Sequence, residues 1–218
     1  MTYSGAVRVG GPADVHELAD LMISKIAVGP MDNNSYLLRC RATGEQLLID
    51  AAAEPATLLR FIGEDSIATV VTTHRHADHW GALAEVVAAT GARTCAGRYD
   101  AEGIPVPTDV PLEDGDTVRV GRVGLTVRHL VGHTPGSVAL VYDDPHGHPH
   151  VFTGDCLFPG GVGNTHKDPV AFVSLLDGVE EKLFGPLADE TWVYPGHGRD
   201  TTLGAERPHL AEWRARGW

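Results

Sequence analysis

The segment Thr73-His74-Arg75-His76-Ala77-Asp78-His79 places four metal-competent side chains within six residues. It follows residues 67–73 (IATVVTT), an apolar, β-branched run that reads as a buried strand. Side chains alternate along extended backbone, so His74 and His76 point the same way. Asp78 and His79 fall where the chain turns into a helix. One ion does not need all four. The spacing suits two adjacent ions, one on His74 and His76 and the other on Asp78 and His79.

Three later segments repeat this placement. Residues 127–131 lead into Gly132-His133-Thr134-Pro135-Gly136-Ser137, residues 151–153 into Gly154-Asp155, and residues 192–194 into Pro195-Gly196-His197-Gly198. Each sets one ligand-type residue just past a strand, with glycine beside it to permit a sharp turn or a close approach. If these strand ends share one edge, His133, Asp155 and His197 converge on the first cluster. A carboxylate such as Asp155 can bridge two cations, and two such cations can deprotonate a shared water near neutral pH. Asp50, at another strand end, either orients the metal loop or is a plain turn residue. Of the 12 histidines, His16, His129, His166 and His209 show no partner in sequence. His146, His148 and His150 read as an exposed Pro/Gly-rich hairpin, and Cys156 as a buried thiol that is not a ligand.

The elements that must hold these residues are α/β in class. With 218 residues, 43% hydrophobic and 21% charged, the chain suits one globular domain spanning residues 1–218, with its core at about 22–200. Strands are expected at 21–28, 35–40, 46–50, 67–73, 92–96, 117–120, 123–130, 137–143, 150–153 and 191–194. Helices are expected at 55–63, 80–90, from the Asp168-Pro169 cap to about 184, and at 204–215. Asn33-Asn34 and Thr43-Gly44 read as turns, and residues 143–147 as a hairpin turn. Two runs of strands, each closed by helices, favour a mixed α/β sandwich over a regular βαβ repeat. A net charge of −12 argues against a nucleic-acid partner. No apolar stretch approaches a membrane span and the N-terminus lacks a signal-peptide pattern, so no membrane partner is expected. Three widely spaced cysteines give no disulfide framework, and the cytoplasm is the simplest location. The sequence names no oligomeric state.

The motifs His74-x-His76-x-Asp78-His79, Gly132-His133-Thr134-Pro135-Gly136, Thr153-Gly154-Asp155 and Gly196-His197-Gly198 together resemble the metallo-β-lactamase superfamily. Asp32-Asn33-Asn34-x-Tyr36 and Phe152-Thr153-Gly154-Asp155-x-Leu157-Phe158 bring the glyoxalase II (hydroxyacylglutathione hydrolase) branch closest. The resemblance, over about residues 22–200, implies a four-layer αββα sandwich with two divalent metal ions at one edge. Zinc is the first expectation, with iron or manganese also compatible. Carried over by position, one ion takes His74, His76 and His133, the other takes Asp78, His79 and His197, and Asp155 bridges them. Asp78 and Asp155 are then the catalytic carboxylates, and the nucleophile is a bridging hydroxide. Only about 20 residues follow His197, enough for a short helix but not for the helical glutathione-binding region of glyoxalase II. Where that family often carries Gly-Cys-Gly and a cation, this chain has Gly161-Val162-Gly163-Asn164, with Lys167 nearby to stand in. These four residues (Gly161, Gly163, Asn164, Lys167) form the candidate substrate loop.

The leading expectation is therefore a binuclear hydrolase of thioesters or related esters acting on a small molecule. The alternative from another reaction class is a persulfide dioxygenase, in which His74, His133 and Asp155 hold a single iron. A lactonase is a further hydrolytic option. β-Lactamase activity is disfavoured by the absence of an export signal and by Asp155, where many such enzymes carry cysteine. A non-enzymatic metal module is disfavoured because seven ligands for two ions leave positions open for water.

Overall fold

The computed structural model describes residues 3–65 and 67–217. The first half of the chain runs through β1 (Asp14–Glu17), β2 (Leu21–Val28), β3 (Asn33–Cys40), β4 (Gln46–Ile49), α1 (Pro55–Ile62), β5 (Ile67–Thr72), α2 (Ala77–Trp80), α3 (Leu83–Thr90), β6 (Arg93–Gly97) and β7 (Val110–Leu112). Its strands form a seven-stranded sheet in sequential order. Pairing is antiparallel from β1 to β4 and parallel from β4 to β7. The second half runs through β8 (Thr117–Val120), β9 (Val123–His129), β10 (Val138–Tyr142), β11 (His150–Gly154), β12 (Leu157–Phe158), β13 (Gly161–Val162), α4 (Pro169–Val179), β14 (Trp192–Pro195), β15 (Thr201–Thr202), α5 (Leu203–Glu206) and α6 (Leu210–Arg216). Its main sheet has the order β15-β14-β11-β10-β9-β8, and β12 and β13 make a separate ribbon.

Alternation along the strands decides the layering. On β10, Val138, Leu140 and Tyr142 enter a central cluster with Leu21, Ile23, Tyr36 and Leu38 of the other sheet. Their neighbours Ala139 and Val141 face outward onto Leu175 and Leu176 of α4 and Trp213 of α6. The outer face of the first sheet is covered by Leu58 and Ile62 of α1 and Leu83 and Val86 of α3. Each fully buried aliphatic side chain here contributes roughly 1.5–3 kcal/mol. The result is the four-layer αββα sandwich expected from the sequence.

Several local expectations differ from what is found, each for a physical reason. The helix expected at 80–90 is split into α2 and α3, because the Ala82 N–H leaves the helical ladder to bond the Ala51 carbonyl at 2.9 Å. The helix expected at 204–215 is broken at Arg207–His209 by Pro208, which has no N–H to give. Asn33 and Asn34 are the first residues of β3 rather than a turn, and the turn lies just before them at Asp32, with φ 52°. His150 is not in an exposed loop. It sits in β11, 1% exposed, paired with Tyr142 and Trp192, and its Nδ1 lies 2.9 Å from the Tyr194 hydroxyl. His16, for which no partner was expected, stacks on Tyr3 and bonds the same hydroxyl at 2.8 Å. The strands β7, β12, β13 and β15 carry only two or three residues, too few to show a period, while β1 alternates half-buried and exposed over its four. No helix among the described residues is long and apolar enough to cross a membrane.

One ion pair ties the sheets together near the edge that carries the site. Lys25 of β2 is fully buried, and its Nζ donates to Asp200 Oδ1 at 2.6 Å and to the carbonyls of Gly5 and Gly198, both at 2.8 Å. Burial pushes the Lys25 pKa down and the Asp200 pKa up, and their mutual attraction opposes both shifts. Lys25→Met removes the cation from the buried Asp200 carboxylate, which keeps only the neutral donors Tyr3 and Trp192, at a cost of roughly 3–5 kcal/mol. Lys25→Met combined with Asp200→Asn is expected to cost less, which denaturant midpoints of the two variants will show.

Candidate metal centre

Strand ends deliver the ligand-type side chains to one place. His74 and His76 lie just past β5, and Asp78 and His79 form the first turn of α2. His133 stands in the β9–β10 connection, Asp155 just past β11 and His197 just past β14. Backbone bonds register these ends: Val138 N–H to the Thr73 carbonyl at 2.9 Å, Gly196 N–H to Gly154 at 2.8 Å, and Asn34 N–H to Gly196 at 2.8 Å. All seven residues expected from the sequence converge. His74, His76 and His133 form one set whose ligand atoms lie within 4.8 Å of one another, and Asp78, His79 and His197 form a second. His74, His79 and Asp155 form a third set of the same kind that overlaps both.

Asp155 lies between the two sets. Its Oδ2 is 4.0 Å from His74 Nε2, 3.6 Å from His133 Nε2 and 3.5 Å from His197 Nε2, and its Oδ1 is 3.4 Å from His79 Nε2. Glycine makes this approach possible. A Cβ at Gly196 would collide with Asp155 Oδ1 and come within 2.7 Å of His79, and one at Gly163 would collide with the Asp155 carbonyl.

The protonation pattern fits a cation. His133 Nδ1 faces the Asn164 carbonyl at 2.8 Å and must donate to it, leaving Nε2 as a lone pair. His74 Nδ1 faces Thr73 Oγ1 at 3.1 Å, and that hydroxyl gives its own proton to Asp50 at 2.8 Å, so His74 Nε2 is also a lone pair. The two lone pairs confront each other at 3.2 Å, a repulsive contact that a cation between them reverses. Asp155 Oδ1 is buried with no hydrogen-bond partner, a second acceptor awaiting positive charge. Neutral imidazoles and carboxylates suit divalent metals.

Electrostatics distinguish the two sets. Burial, reinforced by the neighbouring His79, holds the His74 pKa well below its usual range, and burial also lowers those of His76 and His133. Burial acts on His79 in the same direction. It is overcome by Asp50 and Asp155, which raise the His79 pKa to about 10. Burial would raise the Asp155 pKa, but the His197 and His79 imidazoles beside it hold it far below the carboxylate range. Asp78 is held low against burial by the Asn33 side chain, whose amide donates to Asp78 Oδ2 at 2.9 Å, and by His79.

Asp50 is an orienting residue rather than a plain turn residue. It is 2% exposed and takes a left-handed φ of 58°. Its Oδ1 accepts the Thr73 N–H at 2.7 Å, and its Oδ2 lies 2.8 Å from His79 Nδ1. One carboxylate therefore fixes the His79 ring directly and the His74 ring through Thr73. Asn33 escaped the sequence reading as a functional residue, although it stands in the quoted Asp32-Asn33-Asn34 motif.

The substrate-loop residues divide. Gly163, Asn164 and Lys167 line a cavity of about 670 Å³ together with Val162, Thr165 and Gly217. Gly163 and Asn164 also touch His133, whereas Gly161 lies in β13 beneath Arg216. His166, given no role from sequence, places its ring 6.3 Å from that of His76. Cys156 is a buried thiol, as expected.

The sandwich, with its ligand-type residues gathered at strand ends, matches the metallo-β-lactamase fold. The Metallo-beta-lactamase superfamily matches residues 28–203, and the chain belongs to it. Members of this superfamily bind divalent metals, and the His/Asp cluster is the corresponding feature here. The chain is 35% identical over 180 residues to a hydroxyacylglutathione hydrolase of Polaromonas sp., covering 81% of this chain and 66% of that protein. It is also 35% identical over 170 residues to the human mitochondrial persulfide dioxygenase ETHE1, covering 75% and 63%. The chain thus spans about two thirds of the length of these relatives. Among solved structures, TTHA1623 in a di-iron-bound form superposes with a TM-score of 0.69 at 35% identity, covering 84% of this chain and 96% of that one.

Two measurements test this geometry. Asp50→Asn frees the His79 and Thr73–His74 orientation, and chelator competition should show metal affinity down about 10–100-fold with the fold retained. The raised pKa of His79 keeps that ring protonated at pH 7 without metal, so metal uptake there must release a proton and weaken as pH falls. Calorimetric titrations in buffers of different ionisation heats should differ accordingly; identical heats would refute the assignment of that proton.

Proposed function

We propose that this protein is a binuclear metal-dependent hydrolase of thioesters or related esters of a small molecule. The observation that carries the reading is Asp155, whose carboxylate faces ring nitrogens of both ligand sets at 3.4–4.0 Å. Two divalent ions bound there would supply a Lewis acid for a carbonyl oxygen and would bring a bound water's pKa to about 7. His74, His76 and His133 would hold one ion and Asp78, His79 and His197 the other, with Asp155 available to both. The likeness to a hydroxyacylglutathione hydrolase and to a di-iron structure supports this reading. Zinc remains the first choice of metal and iron the second.

The chain's own residues do the rest. Asp50 and Asn33 hold the ligand set rigid, and Gly163 and Asn164 shape the wall beside His133. The adjoining cavity receives one arm of the substrate, with the Lys167 ammonium available to an anionic group there. A thioester asks least of such a site. Thiols have pKa values near 8.5, so a thiolate departs without the proton that an amine or alkoxide leaving group needs.

A second reading, a mononuclear iron persulfide dioxygenase, is favoured by the human relative and by the compact trio His74, His133 and Asp155. Metal analysis of purified protein, with assays on thioesters, lactones and thiol persulfides, separates the two. Two ions per chain with thioester hydrolysis is the expected result. One iron per chain with oxygen uptake on a persulfide replaces it with the second reading. Asp155→Ala should lose metal and activity together, and a fully metallated, active variant overturns the shared ligand.

A further inference from the structure

We infer that Asp100 is a positioning residue for the three-histidine set His74, His76 and His133, separate in its reach from Asp50. The inference rests on the binuclear reading above. Asp100 is fully buried, three residues beyond the end of β6. Its Oδ2 accepts the Arg75 N–H at 3.0 Å and the Thr134 hydroxyl at 2.5 Å, and its Oδ1 accepts the Gly136 N–H at 2.9 Å. Arg75 separates His74 from His76, and its guanidinium Nε lies 3.9 Å from Asp100 Oδ1. Thr134 follows His133 directly. Its oxygen, having donated to Asp100, accepts from the Ser137 hydroxyl at 2.5 Å.

One carboxylate therefore grips both loops that supply this ligand set, one from each sheet. The loops dock without slack. A Cβ at Gly97 would collide with the Gly136 carbonyl, and one at Gly136 would come within 2.7 Å of Tyr99. Among the described residues, the hydrogen bonds of Asp100 reach neither Asp78, His79 nor His197. Asp50 bonds the His79 ring and reaches His74 through Thr73, so the two carboxylates overlap only at His74. Ligand atoms must be held within about 0.5 Å of their working positions, and that tolerance is what the Asp100 clamp supplies to one ion.

The test uses the full chain reconstituted with zinc or cobalt, chelator competition, and anomalous scattering from crystals to locate the ions. Asp100→Asn and Thr134→Val should keep the ion on Asp78, His79 and His197 and weaken the one on His74, His76 and His133 by about 10–100-fold. Thr134→Ser keeps the hydroxyl and should behave as the parent. Equal retention or equal loss of both ions in Asp100→Asn and Thr134→Val overturns the inference, as does Thr134→Ser failing like Thr134→Val. Should Asp100→Asn not fold, the two Thr134 variants decide. A parent chain holding one ion overturns the binuclear reading instead. The Thr134 pair then still reports whether a three-histidine ion depends on the clamp.

Discussion

A carboxylate taken out of water must be met by positive charge or by donors, and at Asp155 the surroundings offer four imidazole nitrogens within 4.0 Å. Two of those rings, His74 and His133, have committed their protons elsewhere. The charge and the lone pairs are therefore concentrated at one point without enough protons to neutralise them. Packing, glycine placement and the outer carboxylates all serve to keep that arrangement from relaxing. Gly163 and Gly196 bring backbone where any side chain would push Asp155 aside.

The strand ends alone do not give this precision. The site lies between two sheets, so its geometry depends on how those sheets are registered. Lys25–Asp200 spans the sheets beside the His197 loop, the Val138–Thr73 backbone bond spans them beside His74, and Tyr36 donates its buried hydroxyl to the Pro195 carbonyl at 2.7 Å. Asn34 adds bonds to the carbonyls of Pro195 and Gly198. The Asn33–Asn34 pair thus belongs to the site more than to a turn.

How much of this was legible in the sequence follows from locality. The dense run from His74 to His79 could be read because its spacing within a strand and a first helical turn is a local property. His133, Asp155 and His197 were legible by repetition of one pattern: a strand, then glycine, then a ligand. Long strands and the Asp168 cap were legible for the same reason, and the cap does accept the N–H groups of Val170 and Ala171. Asp50 left two readings, because only the fold shows which ring its carboxylate meets. Asp100 was passed over although it too follows a strand end, since its partners lie in two loops distant in sequence. Lys25 lies in a strand that the sequence marks, but its burial and its pairing with Asp200 are set by tertiary structure. The breaks after α2 and α5 come from a tertiary hydrogen bond, Ala82 N–H to the Ala51 carbonyl, and from Pro208.

The division of ligands between the sheets has a mechanical consequence. His74, His76, Asp78 and His79 belong to the first sheet's half of the chain, His133, Asp155 and His197 to the second. An ion in either set is then a rivet through the sandwich, closing a loop of chain that includes most of the hydrophobic centre. Such a rivet would favour the assembled state by RT ln(1 + [M]/Kd), so metal supply would set how firmly the halves are joined. Without an ion, the apolar clusters on either side of the sheets remain and only that fastening at one edge is absent.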